Sequence, residues 1–162
     1  MVDKHVVKMI LESAQLLSTA HRVLDGREKV GKTDSGRNVK RWELYDDRDN
    51  IIYQATHINH PSAVWARSSI SNYNWLVEHF FALMNEYNYR YGKTHKCYGE
   101  ISYKLSSPPK KLESYNMTTM PSCMDEKYII SDDPIINYRN YYKFGKVDLH
   151  YWKNRNPPEW II

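Results

Sequence analysis

The sequence predicts a mainly helical single domain with one small β-hairpin. Three observations carry that prediction. Apolar residues recur at helical spacing over residues 3–25. They recur again, over a longer stretch, from about Ile70 to Tyr91. Between the two, a short segment alternates well enough for two strands. At 162 residues the chain makes one domain, long enough to bury a core.

The first helix takes residues 1–26. Val6, Met9, Ile10, Leu16, Leu17, Ala20, Val23 and Leu24 form its core face. His5, Lys8, Glu12, Gln15, Thr19 and Arg22 form the opposite stripe. Asp3 suits an N-cap, and Gly26 suits the C-terminal cap. Residues 25–38 are polar and contain glycine, so they read as a loop. The hairpin spans residues 39–56, with strands at 39–45 and 51–56 around a turn at Asp46–Asn50. Central helices occupy residues 61–92: a Pro-initiated turn from Pro61, a break, then the long helix ending at Gly92. Residues 104–127, with Pro108, Pro109 and Pro121, read as an extended connection over the surface. Asp133-Pro134 pairs an N-cap with Pro at the first helical position, and starts a helix through about Phe144 in a C-terminal segment, 133–162. The closing LHYWKNRNPPEWII is too aromatic for a free tail and is expected to dock on the body.

The long helix has an uncommon layout. At about 100° per residue, Asn72, His79, Glu86 and Arg90 fall within roughly 40° of one another. Tyr73, Leu76, Val77, Phe80, Leu83, Met84, Tyr87 and Tyr91 make a broad apolar face beside them. Asn74, Glu78, Asn85 and Asn88 lie on a second polar strip. A simple surface helix needs one polar face. Two explanations stand: an ordinary Glu86–Arg90 pair at i,i+4 spacing, or a stripe lining a cleft.

Composition narrows the function classes. No run of 18 apolar residues exists, so no membrane-spanning segment is expected. No signal peptide is read before the first helix, whose polar positions begin at once. Cys97 and Cys123 fit free thiols in a reduced compartment, the cytoplasm of a host cell. The net charge of +4 permits a polyanion partner without demanding one. Fourteen tyrosines and five tryptophans can fill a core, but rings also stack on bases. The sequence calls for no cofactor, and a homo-oligomer stays open.

Several motifs offer chemistry. Gly26 to Thr33, GREKVGKT, matches the phosphate-loop pattern G-x-x-x-x-G-K-[ST]. A helix precedes it, however, and Asp34-Ser35-Gly36-Arg37-Asn38 follows, so no phosphate loop is expected. His57 and His60 are three apart, yet Pro61 starts the helix after them and no further ligand stands at zinc spacing, so no metal site is read. His60 is either a turn residue or an imidazole at a cleft mouth. Trp65 is either core or a stacking platform, and Arg67 is free to meet an anion. Lys93, with His95 and Lys96, complements the C-terminal dipole of the long helix or binds an anion. Tyr138, Arg139, Tyr141, Tyr142, Lys143, Lys146, Tyr151, Trp152, Lys153 and Arg155 interleave rings with cations. Nucleic-acid surfaces do this, and so do packed terminal helices.

QLLSTAHRVLDG, NHPSAVWAR, NYNWL…EYNYRYGKTHK and YRNYYKFGKVDLHYWKNRNPPEW together resemble a group of uncharacterised tailed-phage proteins over most of the chain. More remotely, residues 10–96 are similar to the pyrimidine-dimer DNA glycosylases of the endonuclease V type. The residues that carry this are Gln15-Leu16-Leu17 with His21-Arg22, then Asn59-His60-Pro61, then Glu86 with Arg90-Tyr91-Gly92. That resemblance implies a compact, mainly helical domain that binds DNA and flips a nucleotide. It also implies an N-terminal amine nucleophile assisted by a glutamate on the first helix. The chain departs from that pattern. Val2 stands where such an amine normally uses threonine, and Glu12 is the carboxylate the first helix offers.

The expected function is therefore a phage protein acting on nucleic acid or nucleotides, with base or N-glycosidic chemistry if it is an enzyme. Glu86 and His60 are the catalytic candidates. Gln15, His21, Arg22, Trp65, Arg67, Asn72, Trp75, His79, Arg90 and Lys93 are the ligand-binding candidates. The alternative is a non-catalytic binder of a small nucleotide or of a host protein, of the counter-defence kind.

Overall fold

The computed structural model describes residues 1–162. Helix α1 runs Asp3–Asp25. A two-stranded antiparallel ribbon follows, β1 Arg27–Lys32 and β2 Asn38–Glu43. The remaining helices are α2 Arg48–Ile51, α3 Pro61–Ala66, α4 Ile70–Tyr91, α5 Glu100–Leu105 and α6 Pro134–Asn140. A π-helical turn, Tyr141–Gly145, continues α6. The fold is mainly α with one small hairpin. No helix is long and apolar enough to cross a membrane.

The core forms where α1 meets α4. Ile10, Ala14, Leu17 and Ala20 pack against Tyr73, Leu76, Val77, Phe80, Leu83 and Met84. Trp65, Ala66, Leu44, Ile52, Cys97, Leu105 and Leu112 close the cluster. Ser69 caps α4 by accepting the Asn72 N–H. Gly92 ends it at φ 63, a left-handed conformation that glycine adopts without steric cost. Asp133 caps α6, with Pro134 in the first turn.

The hairpin differs from its expected position. Its strands are 27–32 and 38–43, not 39–45 and 51–56. The supposed loop therefore contains a strand, and the supposed turn enters α2. Periodicity misses this ribbon because water reaches both its faces. Lys29–Glu43 and Lys40–Glu28 pair across it in place of apolar alternation. Residues 51–56 lie along α1 instead. Tyr53 N donates to Ser18 Oγ and Thr56 N to Thr19 Oγ1, so helix side chains meet backbone needs that a sheet would otherwise serve.

The extended connection is held by α4. Asn72 donates to Thr118 Oγ1 (2.7 Å) and accepts from Thr118 N (2.9 Å). Trp65 Nε1 donates to Thr118 O. The C-terminal tail is docked as expected, chiefly by polar anchors. Asp3 N donates to Tyr151 O, Lys153 N donates to the Asp3 carboxylate, and Asn154 donates to Arg90 O.

Candidate functional site

A cleft of about 480 Å³ opens between α1, the 56–62 turn and the C-terminal aromatic segment. Its first wall is the outward stripe of α1: His5, Lys8, Met9, Glu12, Gln15 and Leu16. The stripe changes character along the helix. Thr19 and Arg22, nominally on the same face, are fully buried. The core face is thus centred on Val6, Ile10, Ala14 and Leu17, and this leaves Met9 and Leu16 partly free to line the cleft.

The second wall is the turn before α3, with Thr56, His57, His60 and Ser62. His60 caps α3, its Nδ1 accepting the Ser62 N–H at 3.2 Å. That contact places the ring proton on Nε2, a donor. His57 has φ 47, a sparsely populated conformation for a residue with a Cβ, and such strain clusters at functional sites.

The third wall is Tyr138, Tyr141, Tyr142 and Lys146, with Cys123 beside them. The π turn sets Tyr141 and Tyr142, and π turns are frequent at functional sites. Gly145 permits the turn's packing. A Cβ there would stand 2.6 Å from both the Tyr128 and Tyr141 rings. Lys146 Nζ sits 4.6 Å above the Tyr141 ring centroid.

His5 Nδ1 and the Tyr142 hydroxyl join the first and third walls at 2.5 Å. Burial pushes the His5 pKa down, and the positive fields of Lys146 and then Lys8 push it further, so the ring is neutral near pH 7. Burial holds the Tyr142 hydroxyl well above the ordinary phenol range. Glu12, the one carboxylate on the lining, pairs with Lys8 at 2.9 Å. No cluster of three His, Cys, Asp or Glu side chains is placed to hold a metal.

Of the residues expected to form the site, Gln15 and His60 meet in this cleft. The others disperse. Arg22 is enclosed, its five N–H bonds donating to the carbonyls of Tyr53, Trp42, Asp49 and Ile52 and to the Asp49 carboxylate. His21 Nδ1 accepts from Arg48 at 2.7 Å, so its Nε2 donates to Tyr73, whose hydroxyl donates to Leu105 O. Burial, followed by the nearby Arg48 charge, lowers the His21 pKa to about 4.

The stripe on α4 points neither to a cleft nor to bulk water. Asn72 is fully buried and holds the connection. Trp65 and Trp75 meet edge-on, and Trp75 stacks on half-buried His79 at 5.2 Å. Arg90 is buried between Asp3 and Glu86. Glu86 also takes both Arg155 Nε and Nη2. Arg155, burial notwithstanding, keeps the Glu86 pKa below the usual range, so this carboxylate is a poor proton donor at neutral pH. Arg67 is half-buried with one Nη unpartnered, and Lys93 is exposed beyond α4.

Sequence reasoning left His5, Lys8, His57, Cys123 and the three cleft tyrosines outside the site. The available signals were the unbroken polar run His5–Lys8–Glu12–Gln15 and the alternation of rings and cations after Tyr138. Residues 26–33 form β1 and the start of a turn, with no helix after them to cradle a phosphate. No protein-family model, curated protein or solved structure matches the chain.

Proposed function

We propose that the cleft binds a nucleotide, held by its ring between tyrosines and by its phosphate between Lys8 and Lys146. The supporting observation is the placement of Lys8 and Lys146 on opposite walls of the cleft, beside His5, whose pKa is lowered by burial and then by these two lysines. Their fields converge on a lining that mixes Met9, Leu16 and the three tyrosines with the polar side chains of Gln15, Thr56, His57 and His60. A volume of about 480 Å³ lies within the range typical of small-molecule sites. Tyr141 offers a ring for stacking, while Gln15 and His60 offer donors at the edge.

Shift mapping by nuclear magnetic resonance tests this with a nucleoside 5′-monophosphate, the free nucleoside and inorganic phosphate. The expected result is saturable perturbation of His5, Gln15, His60 and Tyr142, strongest for the monophosphate. Perturbation confined to the α4 face around Trp75 and Glu86 would overturn the reading.

A second reading, N-glycosidic turnover, is favoured by one observation: Glu12 and Gln15 stand together on the cleft wall. It predicts release of free base from dimer-containing or abasic DNA. An amine-type lyase would also leave a covalent adduct after borohydride. Val2 is fully buried at the start of α1, so no such adduct is expected.

A further inference from the structure

The ribbon formed by β1 and β2 concentrates the charge of the molecule. Residues 27–43 hold six cations and three carboxylates, a net +3 against +4 for the whole chain. The rest of the protein is therefore close to neutral. Glu28 and Glu43 are occupied by Lys40 and Lys29. Arg27, Lys32, Arg37 and Arg41 have no carboxylate partner.

The ribbon stands away from the body. Trp42 is buried at its base, while Val30 is 74% exposed. Outside its own two strands, its main neighbour is α1. Its tip is ordered by Thr33, whose N donates to Arg37 O, whose Oγ1 accepts from Arg37 N, and whose O accepts from Gly36 N. Register places Arg27, Lys29 and Arg41 on one face, and Arg41 lies across Gly31, where a Cβ would be 2.7 Å from its Cγ.

We propose that this ribbon is an arm that enters the major groove of B-form DNA, with Arg27, Lys32, Arg37 and Arg41 against the phosphates. Charge complementarity selects a polyanion. Shape selects the groove. Two strands about 4.8 Å apart and roughly 20 Å long fit a groove about 12 Å wide, which admits a β-ribbon. Exposed Val30, on the face it shares with Lys32 and Lys40, suits a groove floor bearing thymine methyl groups. The arm is independent of the cleft and needs no ligand there.

Fluorescence anisotropy of a short labelled duplex, repeated across salt concentrations, tests the arm with the full chain. The variant Arg27→Ala/Arg37→Ala/Arg41→Ala removes two exposed side chains and half-buried Arg41, and its folding is checked by circular dichroism. It should lose at least tenfold in affinity, and the slope of log affinity against log salt should shrink by about 2–3. Lys8→Ala/Lys146→Ala should bind duplex as the native chain does. Unchanged affinity and slope in the arm variant would overturn the proposal. So would loss of duplex binding in the cleft variant alone, absence of DNA binding by the native chain, or equal affinity for A-form RNA, whose deep, narrow groove excludes a ribbon.

Discussion

His5 Nδ1 lies 2.5 Å from the hydroxyl of Tyr142, across 137 residues of chain. This contact ties the start of α1 to the π turn and forms part of the cleft wall. It also places a neutral imidazole in the field of two lysines. The strength of that field on a bound anion can therefore be read from the ring itself.

An anionic ligand in the cleft should bind more tightly as pH falls. The free-state pKa of His5 is lowered by burial, Lys146 and Lys8, while Glu12 and Tyr142 also face the ring. A phosphate beside it favours the charged imidazole, so the bound-state pKa is higher. Between the two values binding takes up a proton, and affinity rises on acidification. Calorimetry between about pH 8 and about pH 5 should show this for a nucleoside monophosphate and not for the nucleoside. A flat profile for both would place the phosphate away from His5.

Acid should weaken the fold through His21. Its pKa is about 4 folded, against 6.5 as the ordinary value. Between those values the unfolded chain binds the proton and the folded chain does not, so stability is lost as pH falls through this window. The contribution is roughly 3 kcal/mol, fully present above pH 6.5 and gone below about pH 4. His5, His79 and His95 are shifted in the same sense. Urea unfolding across that range, with His21→Gln as comparison, isolates the term. The variant should show a shallower dependence, and an identical slope would remove His21 as its source.

Arg22 should prove architectural. Its five donors all have partners inside the protein. Arg22→Ala takes donors from buried carbonyls and leaves the Asp49 carboxylate with the Leu44 N–H alone, and should cost about 3–5 kcal/mol in chemical denaturation. Arg22→Lys should rescue little, because an ammonium cannot reproduce the planar fork. A loss under about 1 kcal/mol would contradict this burial.

Removing residues 148–162 should lower the melting temperature markedly. The segment supplies Lys153 N to Asp3, Asn154 to Arg90 O and Arg155 to Glu86. Asp3→Ala cuts the Lys153 tie together with the Arg90–Asp3 ion pair and should cost roughly 2–3 kcal/mol. Unchanged melting of the truncated chain would mark the tail as loosely held.

How much was legible in the sequence depended on where water is. Helix α4 could be read to its capping glycine because one broad face is buried along its whole length. Helix α1 was legible as a helix but not in the roles of its stripe, because burial of Thr19 and Arg22 is set by residues 42–56 folding over them. The ribbon was missed because charge pairs stabilise it. Polar residues on α4 suggested a site from their grouping alone. Their partners, Thr118, Asp3 and Arg155, arrive from distant segments, and spacing within one helix cannot show them. The cleft is assembled from three such segments, so only Gln15 and His60 could be placed near it in advance.

Isothermal titration of a nucleoside 5′-monophosphate tests the central claim most directly, using the native chain, Lys8→Ala/Lys146→Ala and Glu86→Gln. The account predicts saturable binding to the native chain, a loss of at least tenfold, about 1.4 kcal/mol, in the lysine variant, and little change in Glu86→Gln. Absence of binding to the native chain, or undiminished binding in the lysine variant with loss in Glu86→Gln, would contradict it.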